Sequence, residues 1–321
     1  MATGREETVM IEVQQLTIKT KEATLVRDVS FKLTQGKVLG VVGESGSGKT
    51  MTAMALVNLL PEGVTSSGSI SYHGKELKSF SKEELRRLRG EQIGVIMQRP
   101  MIAFNPVRTI ERHFIETIRA HQAVSKRQAK AIAEANLEKM GLLPVQILSH
   151  YPFQLSGGML QRIMMAMTLA LEPAFIIADE PTTALDTTNQ LTVLKELKAI
   201  VEQTNVGMLF VSHDLAVIQY IADEIAVMYN GFIVEQAPLT TLIKSAKHPY
   251  TKRLLQAEVG QGISEKLVKH IVQYDSCPYF SACSYAQVSC QSLPPLVEVT
   301  PHHQVRCIQI ERGESVCPSS K

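Results

Sequence analysis

Lys37-Val38-Leu39-Gly40-Val41-Val42-Gly43-Glu44-Ser45-Gly46-Ser47-Gly48-Lys49-Thr50 is the stretch whose reading decides the fold. Its first six residues form a short apolar run that stops at Gly43, as a buried strand does on entering a glycine turn. The last eight fit the pattern G-x-x-x-x-G-K-[ST]. Glycines at these places let successive backbone N–H groups turn inward around phosphate oxygens. A helix starting there points its positive end at the same anion. Lys49 can reach the outer phosphates, and the Thr50 hydroxyl can hold Mg²⁺. A chance glycine turn is the rival reading, but this turn follows an apolar strand and opens a helix, as phosphate binding requires.

Outward from this loop the pattern alternates. Met10 to Leu33, rich in Val, Ile and Thr, reads as two strands, and Met51 to Leu60 as a helix ending at Pro61. Gly68 to Tyr72 and Ile93 to Met97 are strand candidates, with a short helix between them opened by a Ser81/Glu84 capping box. From Thr109 to Met140 the pattern turns helical; Ser125 and Gln128 cap its second helix and Gly141 closes it. This block interrupts the α/β alternation and reads as an inserted helical subdomain, about residues 100–170. A helix follows Ser156 to about Leu171. Phe175 to Ala178 is a strand ending at Asp179-Glu180, and Leu191, Leu194, Leu197 and Val201 mark one face of the next helix. Met208 to Val211 is a strand ending at Ser212-His213. Val227, Ile233 and Val234 fall in a hairpin turned at Asn230-Gly231, followed by two short helices to about Leu255. Beyond residue 260 regularity weakens, and a boundary is expected near Val259. That divides the chain into a domain over 1–258 and an extension over 259–321.

Composition limits the function. The 321 residues are 45% hydrophobic and 20% charged, with a net charge of +2, so charge gives a nucleic-acid partner no support. No run of about 18 apolar residues is present, so any path across a membrane must come from other subunits. Glu6 and Glu7 near the start, without an apolar signal core, argue against secretion.

Further motifs lie downstream of the loop. Asp179, at the end of its apolar strand, is placed to hold Mg²⁺, and Glu180 is the natural base to polarise an attacking water. Leu155-Ser156-Gly157-Gly158-Met159-Leu160-Gln161-Arg162 is a second glycine-rich helix start. Two phosphate-binding helix starts on one chain imply two ligands, or one ligand shared between two copies.

This set resembles the ATPases of ABC transporters. Ser156, Gly157 and Gly158 match the signature that closes over ATP held by the opposing subunit. Gln98 matches the Q-loop glutamine that contacts Mg²⁺ or water, Asp186 in Thr183-Ala184-Leu185-Asp186 the D-loop, and His213 the switch histidine facing the γ-phosphate. Gly43 through Thr50, with Met51 behind them, match the nucleotide-binding loop. The resemblance implies an α/β P-loop NTPase (ABC ATPase) core with an antiparallel β subdomain and the inserted helical subdomain. It implies ATP and Mg²⁺ as ligands, Glu180, His213 and Gln98 as catalytic residues, and action as a nucleotide-sandwich dimer. It departs at one point: no Phe, Tyr or Trp precedes Phe31, so an adenine-stacking aromatic is absent from the early strand.

Met97-Gln98-Arg99-Pro100, Phe104-Asn105-Pro106, Asp179-Glu180-Pro181-Thr182 and His248-Pro249-Tyr250-Thr251 resemble the dipeptide, oligopeptide and nickel importer branch, with Ile102-Ala103-Phe104 leaning toward its nickel members. This implies a paralogous ATPase, two permeases and an extracytoplasmic substrate-binding protein as partners, and a peripheral place on the cytoplasmic face of the inner membrane. The cargo would be a peptide, nickel or a metal chelate.

All five cysteines lie beyond residue 276. Clustered cysteines of this kind point to a metal or cluster site before disulfides. Cys277, Cys283, Cys290 and Cys307, with Leu293-Pro294-Pro295 between the last two, resemble the C-terminal extension of peptide-importer ATPases. In some of these, four cysteines hold a [4Fe–4S] cluster; tetrahedral Zn²⁺ is the alternative. Cys317 is spare. Two competing functions remain on the sequence alone. One is a non-transport ABC ATPase of repair or translation, which would carry long coiled-coil insertions or two ATPase domains. The other is an iron–sulfur sensing protein with an accessory ATPase.

Overall fold

A computed structural model describes residues 9–183, 185–258 and 275–311. Its residues fall into two compact units, one built mainly from residues 72–210 and the other from 11–32, 39–71 and 211 onward.

The second unit contains the strands expected at the start of the chain, Val9–Lys19 and Thr24–Thr34, which pair within an antiparallel-type sheet with Thr65–Tyr72 beyond Val9–Lys19. The Thr24–Thr34 strand alternates, burying Val26, Val29, Phe31 and Leu33. That is the period-2 pattern of a sheet with one dry face, broken by one step at Asp28, where φ is +47°. A separate sheet in this unit runs, in order, through Val297–Thr300, His303–Val305, Phe232–Pro238, Glu224–Tyr229 and Val38–Val42. Val38–Val42 is buried throughout and lies parallel to Glu224–Tyr229. A continuous apolar run is what a parallel strand covered on both faces requires. The hairpin Glu224–Tyr229 to Phe232–Pro238 pairs Tyr229 with Phe232 across Asn230-Gly231. Both turn residues have positive φ, 48° and 86°. That is the two-residue turn whose twist matches the strands it joins.

In the first unit, Ile93–Ile96 lies parallel to Phe175–Asp179, with Gly207–Ser212 on the other side of the latter. Around them sit the helices of the inserted region, Ile110–His121, Lys126–Lys139 and Gly157–Leu169. Thr109 caps the first through its side chain, and Ser125 and Gln128 form a reciprocal capping box on the second. Gly141, at φ 63°, closes that second helix as expected. The Ser81/Glu84 box is present at the helix Lys82–Arg87.

Two expectations change. The helix read over Met51–Leu60 spans only Lys49–Ala55. The Leu59 N–H turns back to Met54 O at 3.0 Å while Asn58 takes φ 51°, a left-handed closure that ends the helix before Pro61. On the helix Thr187–Thr204, Leu194, Leu197 and Val201 are buried as read, but Leu191 is exposed and Val193 takes its place in the core. Leu191 lies at the margin of the buried face, about 100° around the helix from half-buried Gln190, which bonds Thr182.

The described part of the cysteine segment is not set apart from the rest. His303–Val305 pairs antiparallel with Phe232–Pro238, and Val297–Thr300 adds beyond it. The expected boundary at Val259 and the spare Cys317 lie outside the described residues.

Candidate functional site

In the second unit, Gly43 to Gly48 form a tight loop between the buried strand and the helix Lys49–Ala55. Gly46 and Gly48 take φ of 84° and 100°, which a side chain would strain. A Cβ on Gly43 would come within 2.1 Å of Met228 O, so this glycine is demanded by close approach. The Lys49 ammonium is buried and donates to the carbonyls of Gly43 and Glu44, both at 2.8 Å, which fixes it within the loop. Ser47 Oγ is buried with no hydrogen-bond partner among the described residues. A buried hydroxyl of this kind costs free energy unless something accepts from it. A phosphate oxygen is the acceptor this loop of inward N–H groups suits.

The same unit carries His213, exposed at the junction of the strand Gly207–Ser212 and the helix Leu215–Ile221. Its neighbours lock that junction. Ser212 Oγ accepts from Asp214 N–H at 3.0 Å, and Asp214 caps the helix through the N–H groups of Ala216 and Val217.

In the first unit, Asp179 is buried at the end of its strand, and Glu180 follows it. Glu180 sits at φ 46°, a conformation that costs a non-glycine residue and clusters at functional sites. Its Oε2 accepts from Gln98 Nε2 at 2.9 Å and from Thr183 Oγ1 at 3.0 Å. The structure thus brings Gln98 to Glu180, which lies 82 positions away in the sequence. Gln98 is itself braced from the signature helix: Gln161 Nε2 donates to Met97 O at 3.2 Å. Ser156 caps that helix, Oγ accepting from Met159 N–H at 3.2 Å. A Cβ on Gly157 would meet nothing within 4 Å, so packing within this chain does not explain the glycine. Asp186 caps Thr187–Thr204, and the Asn189 backbone N–H, with the Asn189 side chain behind it, holds its carboxyl below the usual value.

The four cysteines Cys277, Cys283, Cys290 and Cys307 are free thiols, three of them buried. Burial pushes the Cys277 thiol up to about 12, and Cys307, Cys290 and Cys283 add to the shift through their own charge. Among the described residues, no group of three or more His, Cys, Asp or Glu is drawn together to hold a single metal ion. The segment is anchored by groups that sequence reading missed. The buried Glu235 carboxylate accepts from His303 Nε2 at 2.8 Å and from the backbone N–H groups of Lys247 and His248 at 2.7 and 3.0 Å. Arg306, buried beside Cys307, donates to Ile233 O, Pro294 O and Asp28 Oδ2.

A family model described as ABC transporter matches residues 26–183. The chain is 38% identical over 313 residues to a probable D,D-dipeptide transport ATP-binding protein of Escherichia coli K12 (DdpD), an alignment covering 93% of this chain and 95% of that one. This chain belongs to the ABC transporter ATP-binding family. It is also 40% identical over 269 residues to the metal-staphylopine import system ATP-binding protein CntD of Staphylococcus aureus NCTC 8325, covering 83% of this chain and 98% of that one. Among solved structures, a dimeric bacterial ABC transporter cassette matches with a TM-score of 0.65 at 25% identity, over 72% of this chain and 99% of that one. The ABC ATPase expectation, with its α/β core, antiparallel sheet and helical insertion, is met, and the chain is an ATPase subunit of an ABC transport system. Among the described residues no helix is long and apolar enough to cross a membrane.

Proposed function

We propose that this ATPase powers import of short peptides or a metal chelate, working in a nucleotide-sandwich dimer with a paralogous ATPase beneath two permeases. The extracytoplasmic side would be served by a substrate-binding protein, and this subunit would sit peripherally on the cytoplasmic face of the inner membrane. The cargo classes rest on the two relatives, one named for D,D-dipeptide transport and one for metal-staphylopine import. The dimer is supported by Gly157, a glycine at a helix start whose missing side chain this chain's own packing does not require. Close approach of the nucleotide held by the paralogous subunit gives it a reason.

The observation that carries the reading is the Gln98–Glu180–Thr183 group. Two donors at Oε2 fix the direction of the Glu180 carboxylate, whose role in this reading is to orient a water for in-line attack on the γ-phosphate. Gly43 to Thr50, with Met51 behind them, would cradle the phosphates, Lys49 and the Ser47 hydroxyl would offset their charge, and His213 would face the γ-phosphate. Ser156, Gly157, Gly158 and Asp186 would meet the nucleotide of the opposing subunit. Thr50, Gln98 and Asp179 offer the hydroxyl, amide and carboxylate oxygens that suit Mg²⁺, which supplies phosphate charge neutralisation when bound. Hydrolysis reopens the dimer and returns the permeases to their other access state.

We also read the four thiols as ligands of a [4Fe–4S] cluster that staples the segment. Zinc held by the same four thiols is the alternative. The grouping of four thiols in one short segment is what supports a ligand reading.

The function is tested with Glu180→Gln in cells, measuring uptake of a labelled dipeptide and of labelled nickel with its chelator, and ATP binding by the purified chain. Binding should persist while turnover and the transported label fall by about 10²-fold or more. Normal turnover in Glu180→Gln would reject the assigned base.

A further inference from the structure

The cysteine segment is joined to the phosphate loop by two routes within the second unit. The first is the turn Asn230-Gly231. Gly231 N–H donates to Ser47 O at 3.1 Å, so the turn holds the middle of the phosphate loop. The preceding strand end presses Met228 O against Gly43. On its other side the same turn is tied to the cysteine segment, with Asn230 Nδ2 donating to Pro278 O at 3.3 Å. The turn's two positive-φ residues leave it little freedom to absorb movement.

The second route is aromatic. Tyr279, two residues after Cys277, packs edge-on to Tyr229 with ring centroids 5.1 Å apart, and lies 5.5 Å from Tyr250 and 5.8 Å from His248. Tyr229 and Tyr250 are 4.6 Å apart. All four rings are buried. The Tyr250 hydroxyl has no partner in hydrogen-bond geometry, and it lies beside Glu44 of the phosphate loop, whose carboxyl burial pushes above its usual value with Tyr250 only partly opposing. Arg253 stands beside both the Tyr279 hydroxyl and the Glu44 carboxyl. Glu44 is itself one of the two carbonyls that fix Lys49.

We propose that the cysteine segment positions the phosphate loop: Pro278 and Tyr279 hold the Tyr229–Gly231 turn and Tyr250 against residues 43–47, and so set nucleotide affinity without touching nucleotide. Tyr279, Tyr250 and Asn230 are positioning residues in this scheme. It rests on nucleotide binding at the loop, which Lys49→Ala tests separately.

The experiment is titration of the full chain with a fluorescent ATP analogue, well below the unfolding midpoint, beside a thermal melt of each variant. Tyr279→Leu should raise Kd about fivefold, the scale of one edge-to-face ring pair. Tyr279→Phe, which keeps the ring, should restore most of that loss. Asn230→Asp keeps a residue tolerant of the left-handed turn but removes the donor, and should weaken binding in the same direction. A structural role alone would lower the melting temperature of Tyr279→Leu and leave Kd within about twofold of wild type, overturning the proposal. If Tyr279→Leu does not fold, Asn230→Asp decides on the same criterion. Loss of binding in Lys49→Ala places the measured affinity at the phosphate loop; retained binding would reject that site for the nucleotide, and with it this proposal.

Discussion

Acidification should destabilise this protein through one histidine. His248 is 1% exposed, and its Nδ1 accepts the backbone N–H of Tyr250 at 3.1 Å, a bond the protonated ring cannot make. Burial lowers its pKa to about 4, and the Glu235 carboxylate beside it only partly opposes this. The unfolded chain titrates the same residue near about 6.5. The unfolded state therefore binds more protons between these values, and stability falls as pH drops from about 6.5 toward about 4. From pH 7 to pH 5 the linkage removes about 2 kcal/mol. The other groups facing the ring are Tyr250, Tyr279 and, across Glu235, His303. Burial opposes ionisation of Glu235, but the His303 ring, the Thr251 hydroxyl nearby and the N–H groups of Lys247 and His248 win and keep its carboxyl below the usual value, under the window used. Urea unfolding of wild type and His248→Asn at pH 7 and pH 5 isolates the effect. The amide oxygen keeps an acceptor for Tyr250 N–H and cannot titrate. His248→Asn costs some stability at both pH values, but its loss between them should be smaller than wild type's by about 2 kcal/mol. Equal losses would refute a buried neutral His248 as the source.

Two further outcomes follow from the cysteine segment. Arg306→Leu leaves the carbonyls of Ile233 and Pro294 without their donor and should cost about 3 kcal/mol in chemical unfolding, against a negligible change if Arg306 were a surface group. Anaerobically purified protein should carry about four irons with matching sulfide, lost in Cys283→Ser. About one zinc would make the segment a zinc module, and no metal would end the ligand reading.

The legible parts of this fold were those written in short range. The phosphate loop declares itself through glycine spacing after an apolar strand. The boxes at Ser81 and Ser125 declare helix starts through partners three residues away, and Asn230-Gly231 declares a hairpin. The motif residues were legible one by one, but the bond that joins Gln98 to Glu180 was not, because it spans 82 positions. The Glu235–His303 pair and the Arg306–Asp28 bridge span 68 and 278 positions and leave no local pattern at all. Leu191 misled because a spacing of three lets an apolar residue at the margin of a helix face pass for one at its centre.

The strand His303–Val305 has a consequence for how the chain could be shortened. Phe232–Pro238, which it covers, is apolar and buried along most of its length. Cut at residue 258, the protein would present that strand as a bare sheet margin, a template for any passing extended chain. The native terminus of the sheet is of another kind. Val297–Thr300 is four residues long, alternates its exposure, carries Glu298, slips register before Thr300 and is bracketed by Pro295 and Pro301. Short length, charge, a bulge and proline are the features that deny a neighbour its hydrogen bonds. The last described stretch of the chain thus acts as a selvage, finishing the sheet so that it does not unravel into aggregates.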